Sequence, residues 1–299
     1  MKTVQIRSQA TDKIKKRIKL QTLIIMSIIP DFYLNSVVSI GVLPKPANLN
    51  NISWIGTGFF VGRTLLGQDD QTIPFLVSNK HVFEGKDAVV IRMKKKDSEE
   101  LEVLNVSLKS PDGGPNYVVH DMGDVDIAVV RLNAQVIKDH NLDFCCFNID
   151  TTSMTSEELR TSGADVGTIV YMLGFPLGLV NVSSNLPVCR MGCISRMSET
   201  QLKEQHNILV DIQNFPGNSG SPIIIRPEIT HLEGTPALGK SVLAGIVHGY
   251  LPYKESLVNT QTKEVVEIRS ENSGLANVHP VEYIREIIDK IYPKDQPVV

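Results

Sequence analysis

Ser219 lies in the stretch Asp211-Ile-Gln-Asn-Phe-Pro-Gly217-Asn218-Ser219-Gly220-Ser221-Pro222, which runs directly into the apolar segment Ile223-Ile224-Ile225. The glycines on either side allow a sharp turn that a side chain would obstruct. Such a turn aims successive amide N–H groups at one point beside the hydroxyl, where an oxyanion would be held. A Gly/Ser/Pro turn between strands is also common, so the stretch acquires meaning only from its partners. A serine hydroxyl is a poor nucleophile near neutral pH and needs a base within reach. His81 is the candidate base: it follows the apolar run Ile73–Val77 in Ser78-Asn79-Lys80-His81-Val82-Phe83, and imidazole titrates near working pH. Asp126 is the candidate acid, immediately before Ile127-Ala-Val-Val-Arg-Leu132. A buried carboxylate there would fix the imidazole tautomer and stabilise the imidazolium. Asp121 and Asp124 are rivals, and Asp126 is preferred because it abuts the strand. Singly, the three read as a core histidine, a strand cap and a turn residue. In the order His, Asp, Ser, each at the end of an apolar strand, they point to acyl transfer by an activated serine.

The elements that must position them read as β-strands. Val37–Val42, Ile52–Val61, Ile73–Val77, Ala88–Met93, Leu101–Ser107 and Ile127–Leu132 are short apolar segments separated by Gly, Pro and Asn. Lys94–Glu100 is a charged hairpin tip, solvated rather than a binding patch. Asn133–Val166 reads as a linker with one helical turn around Ser156. The rhythm resumes at Val166–Leu173, Val188–Met197, Asn207–Asp211 and Ser241–Tyr250. Two polar insertions follow the nucleophile stretch, Arg226–Lys240 and Leu251–Ser273, the latter with a strand at Val265–Ile268. An amphipathic helix over Val281–Ile291 closes the chain, with Ile284, Ile287, Ile288 and Ile291 on one face. The expected division is an N-terminal extension (1–35), a first β-barrel (36–150), a second (151–278) and the helical segment (279–299).

Composition narrows the function classes. Of 299 residues, 42% are hydrophobic and 21% charged, which fits a globular chain and excludes a disordered one. A net charge of −3 gives no reason to expect nucleic acid. The cysteines form two close pairs, Cys145/Cys146 and Cys189/Cys193, without zinc-site spacing or a nearby histidine. Reduced thiols in a cytoplasmic protein, with no metal, are expected. Lys13–Lys19 is basic and Leu20–Ile29 mostly apolar, too short to span a bilayer and without a small-x-small cleavage site. An exposed amphipathic helix, a solvated tail and a true start at Met26 are the alternatives there.

At these residues the sequence resembles the trypsin-like (chymotrypsin-fold) serine proteases, and among them the HtrA/Deg-type bacterial branch. Ser78-Asn-Lys-His81-Val resembles the Thr-Asn-x-His-Val block around the base, and Asp126-Ile-Ala-Val the Asp-Ile-Ala-Leu block. Gly56-Thr-Gly58-Phe, Gly174-Phe-Pro-Leu-Gly178 with Gly192-x-Ile-Ser195, and Asp211 through Pro222 match further motifs. The resemblance runs from about Ser36 to Ile291. It implies an all-β fold of two six-stranded barrels of the chymotrypsin/trypsin type with a C-terminal helix, His81 and Asp126 in the first barrel and Ser219 in the second. It also implies an oxyanion hole over Gly217, Asn218 and Ser219, with the N–H groups of Gly217 and Ser219 as donors. Gln213 would lie at the base of the specificity pocket, with Val247, His248 and Gly249 along its wall. Gln213 is neutral, so a small or apolar side chain before the scissile bond is expected. Ser221 stands where the family has a second glycine, and Val82 where secreted members have a disulfide cysteine.

The function expected is a cofactor-free serine endopeptidase acting on protein or peptide through an acyl-enzyme. Two other expectations stand beside it: a catalytically silent trypsin-fold binding module, and a protease held latent until a protein partner orders the loop Phe215–Asn218.

Overall fold

The computed structural model describes residues 29–65, 68–181, 184–228 and 238–294. The basic run Lys13–Lys19, nearly all of the apolar stretch after it and most of the insertion Arg226–Lys240 lie outside the described residues. A short helix, Asp31–Asn35, precedes β1 (Val37–Val42). There follow β2 (Ser53–Leu65), β3 (Gln68–Ser78), β4 (Ala88–Lys94), β5 (Leu101–Ser107), the two-residue β6 (Val118–Val119), β7 (Ala128–Arg131) and the two-residue β8 (Phe147–Asn148). The second half holds β9 (Ile169–Gly174), β10 (Val188–Arg196), β11 (Ile208–Asp211), β12 (Pro222–Ile225), β13 (Leu243–Val258) and β14 (Val265–Pro280). The helix Val281–Ile291 begins where β14 ends.

The expected double-barrel architecture is the one the chain adopts. The second half closes as a six-stranded barrel in the order β10-β11-β14-β13-β12-β9. The first half is an eight-stranded sheet: β5-β4-β1-β2-β3-β7-β6, with β8 parallel to β2. Six of these are the strands expected; the two extra ones are two-residue pairings inside loops, too short to show a pattern in sequence. Asn116 N–H donates to the Leu108 carbonyl, and a Lys109–Pro115 bridge draws the open ends of this sheet together. The charged tip between β4 and β5 satisfies itself through Lys94–Glu99 and Lys95–Glu100 pairs, both at 2.6 Å.

The central strands read as unbroken apolar runs because both of their faces are covered. Phe60, Leu76 and Val130 point into the first barrel with Val38, Ile40 and Ile91. Their neighbours Phe59, Val61, Phe75 and Val129 point the other way, into a cluster shared with Leu173, Ile224 and Ile246 of the second half. The helix Val281–Ile291 completes that shared cluster with Ile284, Ile287 and Ile288, all fully buried. Tyr33 and Leu34 pack on its margin, so the folded body includes the Asp31–Asn35 helix. Arg63 of β2, 1% exposed, fastens the seam: it donates to Asp150 at 3.3 Å, to Asp289 at 2.5 Å and to the Tyr292 carbonyl at 2.8 Å. At Gly192 a Cβ would lie 2.1 Å from the Asp211 carbonyl oxygen, so the β10–β11 crossing requires glycine. The insertion Leu251–Ser273 is the outer part of a long β13–β14 hairpin, with Val265–Ile268 inside β14.

If the helix wedge holds the halves together, Ile287→Ala should lower unfolding stability by about 2–5 kcal/mol, the usual cost of a large-to-small change in a packed core. Urea denaturation checks this, and a loss below about 1 kcal/mol would contradict the wedge.

Candidate active site

β3 ends at Ser78, and the chain turns through Asn79 into the single helical turn Lys80–Phe83. Val82 and Phe83 of that turn are buried in the first barrel, which leaves His81 facing outward with its side chain about half exposed. The His81 backbone N–H donates to Asp126 Oδ1 at 3.0 Å, and ring Nδ1 lies 2.5 Å from Asp126 Oδ2. A carboxylate only accepts, so Nδ1 carries the proton and Nε2 is left as the basic nitrogen. Asn79 Nδ2 donates to the Asp126 carbonyl at 2.7 Å, fixing the residue from its other side. Burial opposes the charged form of Asp126, but the two hydrogen bonds from His81 outweigh it. Its pKa lies below the ordinary aspartate value. The rival carboxylates are engaged elsewhere, Asp121 with Lys290 and Asp124 with His206 at 3.3 Å.

Behind Asp126 stands a group of rings that the sequence did not announce. The Asp126 backbone N–H donates to His279 Nε2 at 3.0 Å, and His279 Nδ1 donates to the His206 carbonyl at 2.7 Å. One partner can only donate and the other only accept, so His279 is held as the neutral Nδ1–H tautomer. His248 stacks on His279 with ring centroids 3.8 Å apart and planes 8° from parallel. Its Nε2 donates to Asn207 Oδ1 at 2.6 Å. Burial and the adjacent His279 push the His248 pKa down to about 3, and burial lowers that of His279 too.

The loop that carries Ser219 is clasped by Thr57 of β2. Thr57 N–H donates to the Ser219 carbonyl at 2.9 Å, and Thr57 Oγ1 donates to the Gly217 carbonyl at 2.7 Å while accepting from Phe175 N–H at 3.0 Å. A methyl group on Gly56 would meet Val82 at 3.1 Å and the Ser219 carbonyl oxygen at 3.4 Å. The Ser219 loop therefore rests against the segment that carries His81. Among the described residues no hydrogen bond joins the Ser219 hydroxyl to His81. Gly217 and Gly220 have φ of +94° and +89°. A Cβ on Gly220 would lie 2.0 Å from the Thr57 carbonyl oxygen, so this position admits only glycine. The Gly217 and Ser219 N–H groups have no acceptor among the described residues.

Asn218, between the two expected donors, keeps its own N–H out of the hole: it donates to the Phe215 carbonyl at 3.0 Å, closing the turn, and its side chain is buried. Two assignments from sequence need correction. The Val247 side chain is fully buried in the second barrel's core, so only its backbone faces the loop. His248 lies behind Asp126 rather than along a pocket wall. Gln213 is exposed beside Gly274, and Gly249 borders open space while its carbonyl accepts from Asn214 Nδ2 at 2.9 Å. His279, Asn79 and Thr57 were missed. The only available signal was a polar residue inside an apolar run, which does not name its partner.

Thr57→Val should destabilise the fold by about 1–3 kcal/mol, because it leaves the Phe175 N–H and the Gly217 carbonyl unpaired. Denaturant titration measures this, and a neutral effect would show that the clasp is incidental. A histidine whose folded pKa is depressed contributes stability that is present above its unfolded pKa and lost as pH falls. Stability should therefore decline from about pH 6.5 towards about pH 3, the His248 interval. His248→Gln should make that slope shallower by up to about 1.4 kcal/mol per pH unit; an unchanged slope would mean that the ring is protonated in the native state.

Comparison with known proteins places these residues in context. Residues 56–226, more than half of the chain, match the trypsin-like peptidase domain family. Similar solved structures include the HtrA-type protease AlgW with a tripeptide: 16% identity, TM-score 0.47, covering 88% of this chain and 62% of that one. HBP, in an atomic-resolution structure, is 11% identical with a TM-score of 0.46, covering 91% and 97%. The apo protease domain of MamO from Magnetospirillum magneticum is 12% identical with a TM-score of 0.42, covering 85% and 96%. This chain thus spans 62% of the length of the AlgW chain. Comparison with curated protein sequences finds no match. On the extent of the family match, the chain belongs to the trypsin-like peptidase domain family.

Proposed function

We propose that the protein is a serine endopeptidase with Ser219 as nucleophile, His81 as general base and Asp126 as its orienting acid. The observation that carries the reading is the two-point clasp of His81 by Asp126, set beside a loop whose Gly217 and Ser219 N–H groups have no acceptor among the described residues. Ser219 Oγ attacks the scissile carbonyl and its proton passes to His81 Nε2. Asp126 stabilises the imidazolium, and the two free N–H groups receive the oxyanion. Collapse of the tetrahedral intermediate breaks the C–N bond, the leaving amine takes the proton from His81, and an acyl ester remains on Ser219. Water activated by His81 then hydrolyses that ester by the same steps in reverse. No metal or organic cofactor takes part in this proposed chemistry. The loop Phe215–Asn218, which a gating partner would have to order, is pinned at Gly217 by Thr57, which supports oxyanion donors that assemble without one.

A second reading, a silent binding module, is favoured by one observation: the missing Ser219–His81 hydrogen bond. Catalytic hydrogen bonds are often long in free enzymes and tighten with substrate, so this weighs less than the clasp.

Labelling with a fluorophosphonate probe separates the two. Wild type should label and Ser219→Ala should not, with His81→Ala strongly reduced. Asp126→Asn should slow peptide hydrolysis by about 10⁴-fold, the cost of the wrong imidazole tautomer. A wild-type protein that never labels would rule out the enzyme reading and leave the binding module.

A further inference from the structure

β13 and β14 leave the second barrel together and continue beyond it as a two-stranded ribbon. On the side away from β13, β14 is paired with β11 only from Leu275 to Val278. The Gly274 carbonyl then accepts from Ile212 N–H at 2.8 Å, and the Asn272 side chain donates to the Asn214 carbonyl. Farther out, Val265 to Glu271 have β13 on one side and, among the described residues, no backbone partner on the other. A bare edge of this kind is a template for another strand, and a two-stranded ribbon is marginally stable without one.

The side chains of this edge sort by face. Val266 is 70% exposed and Ile268 65%, and the period of a strand puts both on one face. Glu267, Arg269 and Glu271 alternate on the other, where Arg269 lies opposite Glu255 of β13 and Glu267 opposite Leu257. Arg269 Nε donates to Glu267 at 3.1 Å, with both side chains about half exposed. The free edge therefore offers apolar side chains on one face and alternating charge on the other.

We propose that two copies of this chain join through this edge, pairing their outer β14 strands antiparallel about a two-fold axis at Ile268. Such an axis sets one residue against its own copy and pairs the positions equally spaced on either side of it. With Ile268 on the axis, Glu267 meets the partner's Arg269 and Arg269 meets the partner's Glu267. Opposite charges directly across an antiparallel pair are favourable, and like charges are not. Other registers fail. Glu267 or Arg269 on the axis would face its own charge. Val265 or Val266 there runs the pairing into the turn closed by Asn259 and Glu264. Ser270 there sets Val266 against Gly274, whose carbonyl Ile212 already holds. The β13 edge is not complementary to itself in this way: its charges, Lys254 and Glu255, are neighbours on opposite faces, so no register sets one across from the other. The occupant is thus a second copy rather than an unrelated chain. The product is a four-stranded sheet, β13-β14-β14-β13, with Val266 and Ile268 of both copies side by side on one face. This inference does not depend on the serine chemistry proposed above.

Sedimentation velocity over a wide concentration range tests this, on full-length protein carrying Ser219→Ala so that nothing is cleaved. Glu267→Arg should weaken dimerisation by about tenfold or more, because basic side chains then meet on both sides of the axis. Arg269→Glu should weaken it as much, by setting acid against acid. Mixing these two variant proteins puts two basic side chains across from two acidic ones, and a heterodimer should form with an affinity within about threefold of the parent's. Each variant carries any damage to its own ribbon into the mixture, so recovery there comes only from pairing between copies. Monomer at every concentration overturns the proposal. So do single variants that dimerise as the parent does, and so does a mixture that stays monomeric. If the charge variants do not fold, Ile268→Cys gives a second reading. The axis sets its two thiols directly opposite each other, so mild oxidation should link the dimer through position 268, as peptide mapping identifies. Absence of that link overturns the proposal.

Discussion

The structure depends on a four-way hydrogen-bond junction at Thr57. Its N–H, hydroxyl and carbonyl engage Ser219, Gly217, Phe175 and Ser78 in turn, the last through a 2.7 Å bond from the Ser78 hydroxyl. Those partners come from β3, from the loop after β9 and from the Ser219 loop. A buried hydrogen bond contributes only about 1 kcal/mol net, so the junction matters less as a store of stability than as a constraint. It fixes where the second barrel's loop sits relative to the first barrel's histidine. Residues from two barrels can act on one carbon atom only if such a joint holds them within a fraction of an ångström.

On the acid side the same economy of positioning appears. Asp126 is held at its side chain by His81, at its carbonyl by Asn79 and at its N–H by His279. The stacked pair His279–His248 is kept uncharged by burial, so the His81 ring faces one carboxylate without a competing cation close behind it. Neutral imidazoles here do what an apolar wall would do electrostatically, while still offering an acceptor to a backbone N–H that would otherwise be buried unpaired.

Much of this was legible beforehand. His81, Asp126 and Ser219 could be picked out because strand ends and glycine turns leave local marks, and the helix Val281–Ile291 because its isoleucines repeat with helical period. The apolar runs of β2 and β3 marked them as strands. What stayed hidden were contacts between positions far apart in the chain. Asp126 and His279 are 153 residues apart, and Thr57 and Gly217 are 160 apart; no periodicity encodes such pairs. His248 was misread for the same reason, since a histidine beside a glycine carries no sign of which ring it will stack upon.

The clamp formed by Arg63 has a consequence for how the protein is made. Arg63 lies in β2, yet Asp289 and the Tyr292 carbonyl, to which it binds, are near the end of the described chain. The face of the first sheet that carries Phe59, Val61 and Phe75 is capped by the same late helix. At a synthesis rate of roughly 5–20 residues per second, some 10–40 s pass between β3 and Val281. Until the second half and this helix have folded against it, that face of the nascent first half is an aromatic surface open to the translating cell. The Arg63 clamp and the helix cap thus form well after the first half is made, and termination before Val281 would leave an exposed aromatic face for chaperones to hold.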